Sequence, residues 1–136
     1  MKFIVFLLSI FLLTAFLPDA KAQVQTLTVS AADDSLVNTD VGYATKTITG
    51  KASSISFAVL LTRNTGTAAG TVILEGSHDG TNYGTVPGTS TFTLTNVTSQ
   101  VATFAVAPST YNYYRATVTT SGTVNLSPTG TVLIRR

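Results

Sequence analysis

The chain has 136 residues, eight Lys and Arg against six Asp and Glu, one His, and neither Cys nor Trp. That length suits one domain with one core, and the lack of cysteine excludes disulfides and thiolate ligands. No Lys/Arg cluster stands beyond Arg135 and Arg136, so a basic nucleic-acid surface is excluded as well.

Lys2 precedes an apolar run at 3–17, FIVFLLSIFLLTAFL, which ends at Pro18, Asp19 and the small-x-small triplet Ala20-Lys21-Ala22. A basic start, an apolar centre, a helix breaker and a cleavage site describe a secretory signal peptide. The expected organisation is a signal peptide at 1–22 and one domain at 23–136. A retained anchor is the rival reading, but the run makes a helix of roughly 22 Å against about 30 Å of hydrocarbon. The expected location is therefore secreted or extracytoplasmic, at a cell surface or in a periplasm. Contact with a membrane is expected only through the leader before cleavage. Losing Lys2, Lys21 and Asp19 leaves a net charge of +1, which favours association over colloidal repulsion. Thr is abundant beyond residue 22; it suits a pleated surface and is a poor helix former, so helix is not expected there.

The first expected strand is 24–30, VQTLTVS. A polar loop with three carboxylates follows at 31–40, then a strand at 41–49 and a turn at 50–53. Residues 54–62, SISFAVLLT, alternate most cleanly, with Ile55, Phe57, Val59 and Leu61 inward. Leu60 on the opposite face implies that this face is partly covered too. Residues 63–70 read as a loop rich in small residues. Next comes TVILEGSHDGTNY at 71–83, in which Asp79-Gly80 signals a hairpin turn, with the chain resuming at Thr81 in the middle of a sheet. Gly84, Pro87 and Gly88 assign 83–90 to an edge or a connection. Residues 91–95 form a short strand with Phe92 and Leu94 inward. Residues 100–106 place Ala102, Phe104 and Val106 on one face, and Pro108-Ser109 turns the chain. In the strand at 111–119, Tyr114, Ala116 and Val118 face one way, and Tyr111, Tyr113, Arg115 and Thr117 the other. After a tight turn at Ser121-Gly122, Pro128 is expected to separate a strand at 123–127 from a last one at 130–135. About eight or nine short strands with turns every 8–12 residues describe an all-β antiparallel sandwich, jelly-roll-like.

Leu74 to Tyr83, LEGSHDGTNY, resembles the "x-S-x-D-G-x-x-W/Y" hairpin of discoidin-like (coagulation factor 5/8 type C) β-sandwiches and of small sandwich modules in phage virion and tail proteins. Tyr111-Asn112-Tyr113-Tyr114-Arg115 resembles the "aromatic-x-Y-x-R" strand that follows in those families. The resemblance covers 71–119. It implies a sandwich fold and no ligand, because these residues build the framework, and fold alone does not carry function.

The candidate chemistry is sparse. Ser77, His78 and Asp79 hold the letters of a hydrolase triad, but consecutive residues diverge in space and cannot form its hydrogen-bond chain. Asp33, Asp34 and Asp40 share one loop and could line a calcium site with backbone carbonyls, since calcium takes six to eight oxygens. Loop aspartates also cap turns. Tyr111, Tyr113 and Arg115, if exposed together, would offer an aromatic platform with a guanidinium for a sugar ring. Their bland reading is packing beneath a second layer. Tyr83 with His78 and Asn82 is a weaker surface candidate. Asn96-Val97-Thr98 and Asn125-Leu126-Ser127 match the N-glycosylation pattern.

The expected function is that of a non-catalytic extracytoplasmic subunit, structural or adhesive, on a cell surface or a virion. Its expected partner is a protein or glycan surface, or a second copy of itself in a homo-oligomer; no cofactor is called for unless calcium binds. A carbohydrate-binding module using Tyr111, Tyr113 and Arg115 is the alternative, and a small secreted hydrolase stands last.

Overall fold

The computed structural model describes residues 22–30, 33–49 and 52–136. The expected leader lies outside them except for Ala22. Eleven strands form among the described residues: β1 (Ala22–Thr26), β2 (Thr28–Val29), β3 (Leu36–Val37), β4 (Val41–Thr47), β5 (Ser54–Gly66), β6 (Gly70–Ser77), β7 (Gly84–Thr85), β8 (Phe92–Thr93), β9 (Ser99–Val106), β10 (Tyr113–Thr120) and β11 (Val124–Arg135). No helix of the described residues is long and apolar enough to cross a membrane.

The strands make two antiparallel sheets. Sheet A runs β1-β11-β5-β9, with β3 also on β11. Sheet B runs β2-β4-β10-β6-β7, with β8 also on β6. Taken as one bent strand, β1 and β2 precede β4, and β7 with β8 makes one interrupted strand. Counting β3, the chain then has nine strands, and from β2 onward it changes sheet at every step except from β6 to β7. That is jelly-roll connectivity, so the expected fold class is the observed one. The extra strands beyond eight or nine are two-residue pieces too short to show as alternation.

Alternation works because the two sheets bury one face each. Ile55, Phe57, Val59 and Leu61 of β5 face Tyr114, Ala116 and Val118 of β10, and all are buried. Ala102, Phe104 and Val106 of β9 join them. Phe57 and Tyr114 meet with ring centroids 5.6 Å apart.

Three inward positions carry no side chain: Gly42 on β4, Gly76 on β6 and Gly130 on β11. Each space is filled from elsewhere. A Cβ on Gly42 would lie 2.5 Å from Leu36 Cδ2, and one on Gly130 would lie 2.6 Å from Leu27 Cδ1. A Cβ on Gly76 would strike the ring of Tyr111. Leu27, Leu36 and Tyr111 come from segments outside the long strands, and they close the space between the sheets.

Four expectations are corrected. Residues 63–70 are not a loop throughout: β5 continues to Gly66 because β11 is long enough to pair with it, from Val124↔Gly66 to Arg135↔Ser54. Arg63 steadies this extension by donating from Nη1 to the Gly66 carbonyl (2.7 Å). Pro128 does not split the last strand. β1 covers β11 from Thr131 onward and β3 covers it at Asn125 and Leu126, leaving a gap between them. Leu27 N–H donates to the Gly130 carbonyl on that edge (2.9 Å). Pro128, two residues back, faces the same gap, where no ladder donor is required. The loop at 31–40 is not wholly polar, because Leu36 is fully buried. The hairpin at Asp79-Gly80 is wider than a two-residue turn: pairing resumes at Gly84, opposite Gly76. β6 itself lies inside sheet B, but its long partner is β10, and β7 is an edge piece.

Gly76→Ala is expected to lower stability by about 1–3 kcal/mol through overpacking against Tyr111. In a Tyr111→Ala background the same change should be close to neutral. Urea unfolding of the four proteins in this cycle measures the coupling; equal costs in both backgrounds would show that Tyr111 does not fill the Gly76 space.

Candidate functional site

β10 lies between β4 and β6 in sheet B, so its outward side chains stand in the middle of that sheet's outer face. Arg115 is opposite Thr45 on one side and Glu75 on the other. Its Nε donates to Glu75 Oε2 (2.7 Å), and Thr117 Oγ1 donates to the same oxygen (2.6 Å). The guanidinium carbon sits 4.4 Å from the centroid of Tyr43 and 4.0 Å from that of Tyr83. A cation between two ring faces is held by their quadrupoles and by the carboxylate together. The result is a half-buried, rigid strip: Tyr43, Arg115, Tyr83, with Glu75 and Thr117 beside it.

The structure therefore regroups the sequence candidates. Tyr113 and Arg115 share the outer face, where the Tyr113 ring leans on the turn at Gly80: a Cβ there would lie 3.2 Å from it. Tyr111 does not share it. β10 begins only at Tyr113, and Tyr111 turns inward over Gly76. Its ring meets Tyr114 edge-on at 5.8 Å and His78 at 4.9 Å. The Tyr114 hydroxyl explains the turn, since it accepts from the N–H groups of Thr110 and Tyr111 (both 3.2 Å) and pulls the chain inward there. Tyr43 was not a sequence candidate. Its only signal was its place on an alternating strand, and pairing of β4 with β10 was needed to bring it to Arg115.

The turn from β6 to β7 is organised by Asp79. Its Oδ1 accepts from the N–H groups of Thr81 (2.9 Å) and Asn82 (2.8 Å) and from Ser77 Oγ (2.8 Å). Its Oδ2 accepts from Asn82 Nδ2 (2.7 Å). Ser77 Oγ in turn accepts from Gly80 N–H (3.0 Å). Ser77 and Asp79 are thus joined to each other and to backbone, and His78 stacks on Tyr111 instead of bridging them. The donors from Asn82 and Thr81, then the Asn82 and Ser77 side chains, hold the Asp79 carboxyl well below the usual carboxylate range.

The acidic loop is dispersed. Asp33 Oδ2 accepts from Ser30 Oγ (2.6 Å), and Asp40 Oδ1 accepts from Val41 N–H (2.8 Å). Asp34 is exposed. Among the described residues no three His, Cys, Asp or Glu side chains converge as a metal site would require. Of the two sequon asparagines, Asn96 Oδ1 accepts from Ala68 N–H (3.1 Å) and Asn125 Oδ1 from Asn64 Nδ2 (2.8 Å).

Sheet A presents a different outer face. Ala58 and Leu60 of β5, Val101 of β9, and Thr129, Gly130 and Thr131 of β11 line a shallow depression of about 420 Å³. Leu60 is 39% exposed and Val101 48%. Leu60 outward hinted at this surface in the sequence. Val101 was the missed member, because alternation marks it only as solvent-facing.

No family model matches the chain, and no curated protein matches it. Solved structures similar to the chain include the following two. One, titled "Family 16 Carbohydrate Binding Module-2", is 9% identical with a TM-score of 0.45, over 75% of this chain and 80% of that one. The other, titled "Structure of infectious bursal disease virus Gx strain", is 16% identical with a TM-score of 0.39, over 85% of this chain and 32% of that one. At that level of similarity neither says what this chain binds.

A pH dependence follows from Asp79. A carboxyl with a depressed folded pKa contributes stability above its unfolded value, and loses it as pH falls through the folded value. The turn should therefore keep its hydrogen bonds from neutral pH down to about pH 4 and loosen only in stronger acid. The amide shifts of Thr81 and Asn82, followed by NMR titration, report this; a midpoint at an ordinary aspartate value would contradict the geometry.

Proposed function

We propose that this chain is a non-catalytic structural or adhesive β-sandwich subunit, working outside the cytoplasm on a cell surface or virion through surface contacts and self-assembly. The observation that carries this reading is the outer face of sheet A, where Leu60 and Val101 stand exposed, with half-buried Ala58, around one depression. A sandwich of this size needs only one buried face per sheet. Adjacent apolar side chains exposed on the second face offer a small dry surface on which a partner can pack. The strips of Thr around them, Thr129 and Thr131, add no charge that a partner would have to neutralise.

Size-exclusion with light scattering across a concentration series tests it. The purified protein should associate, and Leu60→Glu should move association to higher concentration with an unchanged circular-dichroism spectrum, since Leu60 points away from the core. A protein that stays monomeric at high concentration would overturn the self-assembly reading.

The strip on sheet B supports a second reading, a carbohydrate-binding module. Two half-exposed rings flanking a fixed guanidinium can stack a sugar and hydrogen-bond its hydroxyls. Under this reading Tyr83→Ala abolishes binding on a glycan array while Tyr111→Phe leaves it intact, because Tyr111 lies on the other side of the sheet. No binding by the unaltered protein on a broad array would remove it.

The calcium expectation for Asp33, Asp34 and Asp40 stands apart from both readings. Thermal unfolding with calcium and with chelator tests it, and binding would show as a midpoint that rises with calcium.

A further inference from the structure

The far edge of β9 is open. β9 ends sheet A and pairs only with β5 among the described residues. Which of its backbone groups face outward follows from one hydrogen bond. Arg63 N–H donates to the Thr98 carbonyl (2.9 Å) just beyond the ladder. The register runs without a slip from Thr62↔Ser99 to Ile55↔Val106, so Arg63 and Thr98 continue it. Bonded and non-bonded pairs alternate in an antiparallel ladder. Gln100, Ala102, Phe104 and Val106 therefore direct their N–H and C=O groups to β5. Ser99, Val101, Thr103 and Ala105 direct theirs to the free edge. Among the described residues no hydrogen bond from another element meets those four residues' backbone.

The edges of sheet B are guarded in the ways that proteins use against stray pairing, and β1, at the other edge of sheet A, is uncharged too but has five residues only. β7 and β8 have two residues each, with Pro87 between them. β2 is equally short, and β4 behind it carries Lys46. β9 has eight residues, no charge and no proline.

Resting on the self-assembly reading above, we propose that two copies of this chain pair through β9, antiparallel about a two-fold axis at Ala102, into one continuous sheet. That register sets Ser99 opposite Ala105 of the second copy and Val101 opposite Thr103, and it satisfies all the free edge groups of both copies at once. The neutrality of β9 selects a second copy as the occupant. In a two-fold contact a charge near the axis lies close to its own like on the other copy, which is unfavourable, and β9 carries no charge at all. The pairing also brings the two Leu60–Val101 surfaces side by side on one face. An edge of this length, roughly 27 Å, buries less than the ~1,200 Å² of a standard interface, so the dimer is reversible and dependent on concentration.

Single cysteines test the register in a chain that has none of its own. Residues directly opposed in a bonded pair have Cα atoms about 5.5 Å apart, within disulfide range, whereas Val101 does not oppose itself. Mixed Val101→Cys and Thr103→Cys proteins should give several-fold more disulfide dimer on mild oxidation than either alone. Thr103→Pro removes an N–H that faces the free edge, so it should fold normally and remain monomeric at concentrations where the unaltered protein dimerises. Association without the mixed cross-link, or an open ladder of multimers as β9-to-β1 contact would give, overturns the β9 dimer and leaves self-assembly standing. A Thr103→Pro protein that fails to fold overturns the assignment of outward groups. An unaltered protein that is monomeric throughout overturns both proposals.

Discussion

Closure of the space between the two sheets is the constraint on which the rest depends. With no cysteine in the chain, no disulfide ties one sheet to the other. The tie is made by packing, and three inward glycines show how. Gly42, Gly76 and Gly130 leave room that Leu36, Tyr111 and Leu27 fill. Each filler comes from a segment that leaves or enters a sheet. The crossing segments are therefore anchored by the core they help to complete, and loop position and core packing are one problem here.

That coupling settles the fate of the aromatic run at 111–115. Tyr114 enters the core, and its hydroxyl gathers the amides of Thr110 and Tyr111. Tyr111 is thereby committed to the Gly76 space. Tyr113 and Arg115 are left outside, and Arg115 takes Tyr43 and Tyr83 as neighbours from two other strands. A cation that already has a carboxylate and two rings is a fixed part of a surface. It orders that face more than it searches for a ligand.

The two outer faces differ in kind as a result. Sheet B presents a polar, internally paired strip built on Glu75 and Arg115. Sheet A presents threonines, alanine, leucine and valine with no ion pair among them, and it ends in an unguarded strand. A face charged, among the described residues, only at its Arg135 end, beside an open edge, suits contact with another sheet. The paired face does not offer free groups in the same way.

Two-residue periodicity was enough to read the all-β class, the inward sets of β5, β9 and β10, and the sandwich, because alternation is a property of a single strand and of a face that must be buried. Leu60 outward was legible for the same reason, as was the edge character of the stretch around Pro87. Tertiary pairing decided the rest. The extension of β5 to Gly66 and the passage of β11 through Pro128 depend on which neighbour a strand has at each point, and local sequence does not carry that. Whether Tyr111 faces in or out turns on an empty position at Gly76, 35 residues away, and on a hydroxyl at Tyr114. The Tyr43–Arg115–Tyr83 strip joins three separate strands. Alternation along one strand says that a side chain faces a sheet surface; only the order of strands in that sheet says what stands beside it.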